Sequence, residues 1–226
     1  MNRREFSIIT LITFALPLFA KKDNETYKNS KYLRPPRSDK NFEKLCVKCG
    51  QCLQVCPYHS INLLDINAFF SIGTAYIDPK NRGCYLCDLF PCVLACPSGA
   101  LSDKSLEKKD ANMGVAILVN FKKCLAYRSE ILTKEKTKFL TSRKYCNERE
   151  KMVIDKIYNS NGEICDLCVK LCPITDNAIK MTKFENNKIL PQIKKNCVGC
   201  GVCAEVCPEK IIEILPNKKY NEIYKD

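Results

Sequence analysis

The sequence predicts an α+β fold in which short helices and β-hairpins wrap around clustered cysteine thiolates. Three observations lead there. Seventeen of 226 residues are cysteine, a density that means either a disulfide framework or metal ligation. The cysteines fall into blocks, at 46, 49, 52, 56; at 84, 87, 92, 96; at 124, 146, 165, 168, 172; and at 197, 200, 203, 207. The stretches between blocks read as single strands and hairpins, and the blocks recur about every forty residues as an internal repeat.

The first and last blocks, "CVKCGQCLQVCP" and "CVGCGVCAEVCP", have the spacing C-x2-C-x2-C-x3-C-P. This is the bacterial-ferredoxin run that ligates [4Fe–4S] clusters. Three thiolates on a tight loop meet three irons of one cube, and the fourth, carried away by a helix, meets an iron of a second cube. Pro57, Pro97, Pro173 and Pro208 follow the terminal cysteines, where a missing amide costs little at a helix start, so a short helix is expected after each. Gly50 and Gly201 supply unhindered backbone inside the runs. Structural zinc needs two separated pairs and often histidine, whereas His59 is the only histidine here. Disulfides would leave such crowded thiols without defined partners. A chain of this length also has no need of many staples.

The second block, "CYLCDLFPCVLACP", widens one gap but keeps the final C-x3-C-P. The third supplies Cys165, Cys168 and Cys172, so its first ligand must come from upstream, where Cys124 and Cys146 compete. Four sets of four, with one cysteine spare, imply four [4Fe–4S] clusters. In two-cluster ferredoxins the fourth cysteine of each run completes the other run's cube. Blocks can pair in sequence, or nested, first with fourth and second with third. The connections hardly discriminate, with twenty-seven residues between Cys56 and Cys84 and twenty-four between Cys172 and Cys197. The hairpin expected in the latter resembles the connection inside one two-cluster ferredoxin, which favours sequential pairing. Cys56 then joins Cys84, Cys87 and Cys92, Cys96 joins Cys46, Cys49 and Cys52, and Cys172 and Cys207 exchange between the later blocks.

The remaining elements follow in order. "MNRREFSIITLITFALPLFAKK" has a charged start and an apolar stretch from Ser7 to Ala20, too short for an ordinary membrane span, so residues 1–20 read as a signal peptide or anchor. Arg3-Arg4 makes it a twin-arginine signal, the route suited to a protein that must be exported folded around its clusters, and it places the protein in the periplasm, with membrane association open. Residues 21–45 are polar and lysine-rich around "YLRPPR" and read as a tether. A first ferredoxin-like half is expected over 46–123 and a second over 124–226. "GVAILVN" at 114–120 is a buried strand, 178–193 a hairpin turning at Asn186-Asn187, and 210–216 a last strand. Residues 128–161 hold nine basic and five acidic side chains and read as a solvated helical excursion or a docking arm.

The net charge of +12 is poor evidence for nucleic acid. Arg3, Arg4 and Glu5 carry about +1 of it, and four cubes at roughly 2− each offset about eight more. No nucleic-acid motif accompanies the lysines. No phosphate-binding loop, haem motif or acid–base constellation appears either. A cube with four cysteine ligands has no open site for substrate, so the chemistry is electron transfer, without catalysis by this chain.

The twin-arginine start, "LRPP", "CVKCGQCLQVCPY", "GTAY", "CPSGAL", "DANMGVAILV", "GEICDLCVKLCP" and "CVGCGVCAEVCP" together resemble the NapG/MauM ferredoxin-type proteins. That resemblance implies an exported protein with four [4Fe–4S] clusters, working beside a membrane-bound, quinol-oxidising NapH-like partner. Electrons would pass towards a periplasmic reductase or its cytochrome, most naturally nitrate reductase. "KKCLAY" matches the family at Cys124, which makes Cys124 the ligand and Cys146 the spare, although the insertion at 128–161 departs from the family. Two other roles stand beside this one: the iron–sulfur subunit of a molybdopterin oxidoreductase, and a cofactor-maturation factor. An export signal argues against both.

Overall fold

The protein is described here from a computed structural model covering residues 32–184 and 187–224. The expected signal over 1–20, residues 21–31 of the tether and Asn186 of the hairpin turn lie outside the described residues.

In chain order the helices are α1 (Phe42–Leu45), α2 (Gln51–Gln54), α3 (Pro91–Leu94), α4 (Lys134–Thr141), α5 (Glu148–Asn159), α6 (Leu167–Lys170), α7 (Val202–Val206) and α8 (Tyr220–Ile223). The strands are β1 (Ile61–Leu63), β2 (Ala75–Ile77), β3 (Gly114–Leu118), β4 (Ile179–Lys183), β5 (Ile189–Ile193) and β6 (Ile212–Pro216). Among the described residues the strands form three antiparallel pairs, β1–β2, β3–β6 and β4–β5. The three strand regions expected around 114–120, 178–193 and 210–216 are all present. The β1–β2 pair has only three residues a side and too little alternation to be legible beforehand.

The single-turn helices sit one step earlier than expected. After Pro57, Pro97 and Pro208 the expected helix is replaced by a turn, and after Pro173 it is a single 3-10 turn, Thr175–Asn177; α2, α3, α6 and α7 instead lie inside the cysteine runs, each carrying the third cysteine. The proline ends the helical turn. Gly50 and Gly201 begin α2 and α7 with φ of 74° and 88°, a left-handed conformation that costs glycine little.

The tether is also corrected for its last part. From Tyr32 onward the chain is packed: Leu33 bridges Ile77 of β2, and Leu33 and Phe42 belong to the core. Arg34 is buried, donating to the Thr74 hydroxyl at 3.0 Å and the Ala75 carbonyl at 2.9 Å and pairing with Glu43. Its guanidinium lies 5.3 Å from the Phe42 ring centroid. Burial of Leu33 and Phe42, together with the hydrogen bonds and ion pair of Arg34, outweighs the polar composition that suggested a linker.

The boundary at Cys124 moves too. β3, placed in the first half, pairs along its whole length with β6, from Gly114 opposite Pro216 to Leu118 opposite Ile212. Strand pairing at long sequence separation therefore stitches the two halves together. A second seam lies at Gly83, where a Cβ would stand 2.4 Å from the Val202 amide nitrogen. Only glycine admits that approach.

The insertion is helical as expected but is docked on the body. Thr137 and Leu140 of α4, Ile157 of α5 and the preceding Leu132 are all buried, and the three aliphatic side chains join a core cluster built from both halves, with Leu86 and Phe90 on one side and Leu167 and Val202 on the other. Its polar residues are used as well. Glu150 pairs with Arg82, and its carboxylate accepts from the Cys146 amide at 2.7 Å and contacts His59 Nδ1 at 2.9 Å. The charged residues that suggested a solvated arm form the outer face of α4 and α5, while those nearest the body are paired.

Candidate metal centres

Each single-turn helix splits its cysteines between two sites. A C-x3-C spacing advances the chain by about one helical turn, so the third thiol faces one cavity and the fourth reaches the next. The structure places the thiols in four quartets. Site I holds Cys46, Cys49, Cys52 and Cys96, as the mutual influence of these thiols at Cys52 records. Site II holds Cys56, Cys84, Cys87 and Cys92 around one cavity. Site III holds Cys172, Cys197, Cys200 and Cys203 around a second. Site IV holds Cys124, Cys165, Cys168 and Cys207 around a third. The thiols are thus exchanged sequentially between neighbouring blocks; Cys56 stands with the second block and not with Cys197, Cys200 and Cys203. Cys146 lines none of these three cavities. It is exposed, beside His59 and Glu150.

The surroundings suit an iron–sulfur cube. The cavities are lined by apolar side chains, including Ile61 and Phe90 at site II, Ile179 and Ile193 at site III, and Leu167 and Ile212 at site IV. Burial pushes the thiols up: Cys52, Cys87 and Cys165 to about 11 and Cys92 to about 12, with neighbouring thiols adding to the effect. Cys84, Cys168 and Cys203 go well above their ordinary value for the same first reason. Four thiolates so placed require cationic charge between them, which iron supplies.

Backbone amides are aimed at the sulfurs. The backbone of Leu86 works against the rise at Cys84, that of Val93 at Cys92, that of Leu167 at Cys165, and those of Ala116 and Gly199 at Cys197. The Ser60 amide reaches Cys56 Sγ at 3.4 Å. At Cys96 burial works upward, but the amides of Leu101, Ser98 and Ala100 and the Ser98 hydroxyl together bring the thiol below its ordinary value. Such hydrogen bonds hold charge on sulfur and tune a cluster's potential.

The sites follow one another in a row. Cys52 of site I neighbours Cys92 of site II, and Cys168 of site IV neighbours Cys203 of site III. Sites II and III meet across the seam, where the Cys84 amide donates to the Cys200 carbonyl at 2.7 Å. Glu205 is buried at this junction. Its Oε2 accepts the Gly83 amide at 2.7 Å and its Oε1 accepts Arg143 Nη1 at 2.6 Å. Burial raises its carboxyl, against the pull of the Gly83 amide and Arg143. Sequence reasoning missed Glu205, although a charged residue between the last two cysteines of an apolar run was a signal. It also missed Arg82 and Arg143, whose partners are distant in sequence.

A family model described as a 4Fe-4S dicluster domain matches residues 45–100 and 163–211. The methylamine utilization ferredoxin-type protein MauM of Methylobacillus flagellatus is 31% identical over 194 residues, covering 82% of this chain and 69% of its own. The ferredoxin-type protein NapG of Escherichia coli is 33% identical over 196 residues, 81% of this chain and 70% of its own. For NapG of Haemophilus influenzae the identity is 30% over 81% of this chain, which spans only 58% of that relative. No solved structure matches the chain significantly.

Proposed function

The chain belongs to the NapG and MauM family of ferredoxin-type proteins, iron–sulfur electron carriers, and on that premise we propose that it relays electrons through four [4Fe–4S] sites between two partners. The observation that carries this reading is the unbroken row of four thiol quartets, since a shuttle needs one centre and a relay needs several. The donor is a membrane-bound, quinol-oxidising protein of the NapH type. The acceptor is a periplasmic reductase or its cytochrome, nitrate reductase being favoured by the relatives named NapG. The sixteen cysteines of sites I to IV are the ligands, arranged as two two-cluster units joined at the seam.

A [4Fe–4S] cube held by four thiolates supplies one-electron transfer and no substrate site. The chain's residues do the rest. Apolar walls shield the sulfurs of sites II to IV, amides stabilise their charge, and the Cys84–Cys200 backbone hydrogen bond brings the two inner sites together. Arg3-Arg4 supports export of the folded protein to the periplasm by the twin-arginine route.

Anaerobically purified protein should hold roughly sixteen irons and sixteen acid-labile sulfides per chain; two cubes with zinc in the other sites would overturn the four-site reading. Deleting the gene should slow quinol-dependent nitrate reduction by intact cells. Unchanged nitrate reduction would remove nitrate reductase as the acceptor.

A further inference from the structure

The loop that joins β1 to β2 exposes more apolar surface than a solvated turn needs. Ile66, Phe69 and Phe70 are 79%, 79% and 71% exposed on one short helical segment, Ile66–Ser71. The segment is kinked at Phe69, whose φ is 46°, and both neighbouring phenylalanines are left largely exposed. Leu63, in the strand that leads into the loop, and Val47, in the first cysteine run, are exposed as well. The first cysteine run is pressed against the foot of the loop. Leu63 Cδ1 would lie 3.8 Å from a Cβ on Gly50, and the Lys48 side chain 3.3 Å from one on Gly73. Cys49 of site I is exposed in that run. Scattered exposed apolar residues are ordinary, but a contiguous aromatic and aliphatic patch marks an interaction surface.

We propose that this loop docks the protein on a lipid bilayer, with Ile66, Phe69 and Phe70 entering the acyl boundary of a surface that carries anionic headgroups. Two further observations select lipid as the occupant. The chain enters the fold at Tyr32, whose ring packs on Tyr76 of β2, the strand that leaves the loop. Upstream of Tyr32 the sequence carries Lys21, Lys22, Lys28 and Lys31 against Asp23 and Glu25, and beyond them the apolar stretch from Ser7 to Ala20. Cationic side chains next to apolar ones are the composition that binds anionic membrane surfaces. Lys48 adds a cation at the foot of the loop. Such docking turns site I, at one end of the row, towards the membrane. It does not depend on the direction of electron flow or on the identity of the donor.

The chain contains no tryptophan, which allows a local test in the full-length holoprotein. Phe70→Trp places the only indole at the loop tip, and Tyr158→Trp, on the exposed side of α5, serves as the control. On addition of vesicles of phosphatidylglycerol and phosphatidylcholine, the Phe70→Trp emission should shift to the blue and be quenched by acyl-brominated lipid, and the Tyr158→Trp emission should do neither. Because the readout is local, attachment through the segment before Tyr32 cannot imitate it. Replacing Ile66, Phe69 and Phe70 together with serine should weaken vesicle partitioning on the order of a hundredfold where the loop is the main contact, with iron content unchanged. An unshifted Phe70→Trp signal with protein-free vesicles overturns the proposal and leaves the loop to a protein partner. A blue shift that appears without lipid and grows with protein concentration also overturns it, in favour of a second copy of the chain. Iron stoichiometry tests the relay separately, so failure of either reading is recognisable by itself.

Discussion

Substitutions at paired cysteines offer the sharpest test of how the thiols are grouped. Cys124 is 8% exposed among Cys165, Cys168 and Cys207, so its loss should open one corner of one cube. Cys124→Ala should then cost between one iron, if the cube survives with a vacant corner, and four, if it is lost. That takes roughly sixteen irons to between fifteen and twelve. Cys207→Ala should do the same, although it lies eighty-three residues away in sequence. Combining the two should still cost no more than about four irons, because both ligate the same cube. Cys124→Ala combined with Cys96→Ala should cost up to about eight, because site I and site IV are separate. Cys146→Ser should leave the count unchanged. The assay is iron and acid-labile sulfide per chain on anaerobically prepared protein, with the cluster absorbance as a second readout. A loss of more than about four irons in the Cys124/Cys207 pair, or any loss from Cys146→Ser, would refute the grouping.

Three further outcomes follow from the same geometry. Glu150→Ala removes the ion pair with Arg82 and the acceptor of the Cys146 amide, and at about 2–4 kcal/mol it should release the insertion, read as faster amide exchange along α5; unchanged protection would mean the ion pair does not hold the docking. Burial opposes but does not outweigh the Cys146 amide, His59 and Arg82, so the Glu150 carboxyl sits below its ordinary value, and its contribution, present above the unfolded pKa of about 4.3, should be lost as pH falls through the depressed one; Glu150→Gln protein showing the same acid-side loss would exclude that origin. Gly83→Ala forces a Cβ against the Val202 backbone and should cost about 2 kcal/mol or more, lowering the melting temperature and the occupancy of sites II and III, whereas wild-type melting would show that the seam yields. Changing Arg3 and Arg4 together to lysine should leave the holoprotein in the cytoplasm, as fractionation would detect, and normal export would mean that charge alone suffices.

The thiol chemistry was legible because it is local. C-x2-C-x2-C-x3-C fixes which cysteines a single loop can offer to one cube, and the same spacing says that the fourth thiol points elsewhere. The strands at 114–118, 179–183, 189–193 and 212–216 were legible for a similar reason, since aliphatic and β-branched runs between the blocks have few other ways to be buried. Local pattern could not decide where the helical turn falls relative to the proline. Nor did it register that Arg34 and Phe42 would be drawn out of a polar segment into the core. The pairing of β3 with β6, the approach of Gly83 to Val202, and the salt links from Arg82 and Arg143 to Glu150 and Glu205 all join residues more than sixty positions apart. Such contacts exist only once the chain has closed on itself, and their free energy depends on desolvation and exact distance. The sequence by itself therefore determined that the thiols are grouped for clusters and the chemistry they can hold, and it only favoured one way of sharing them. Only the tertiary structure decided how the thiols are shared and that the quartets follow one another, because that order is set by a strand pairing and a close backbone approach at Gly83 that leave no periodic trace.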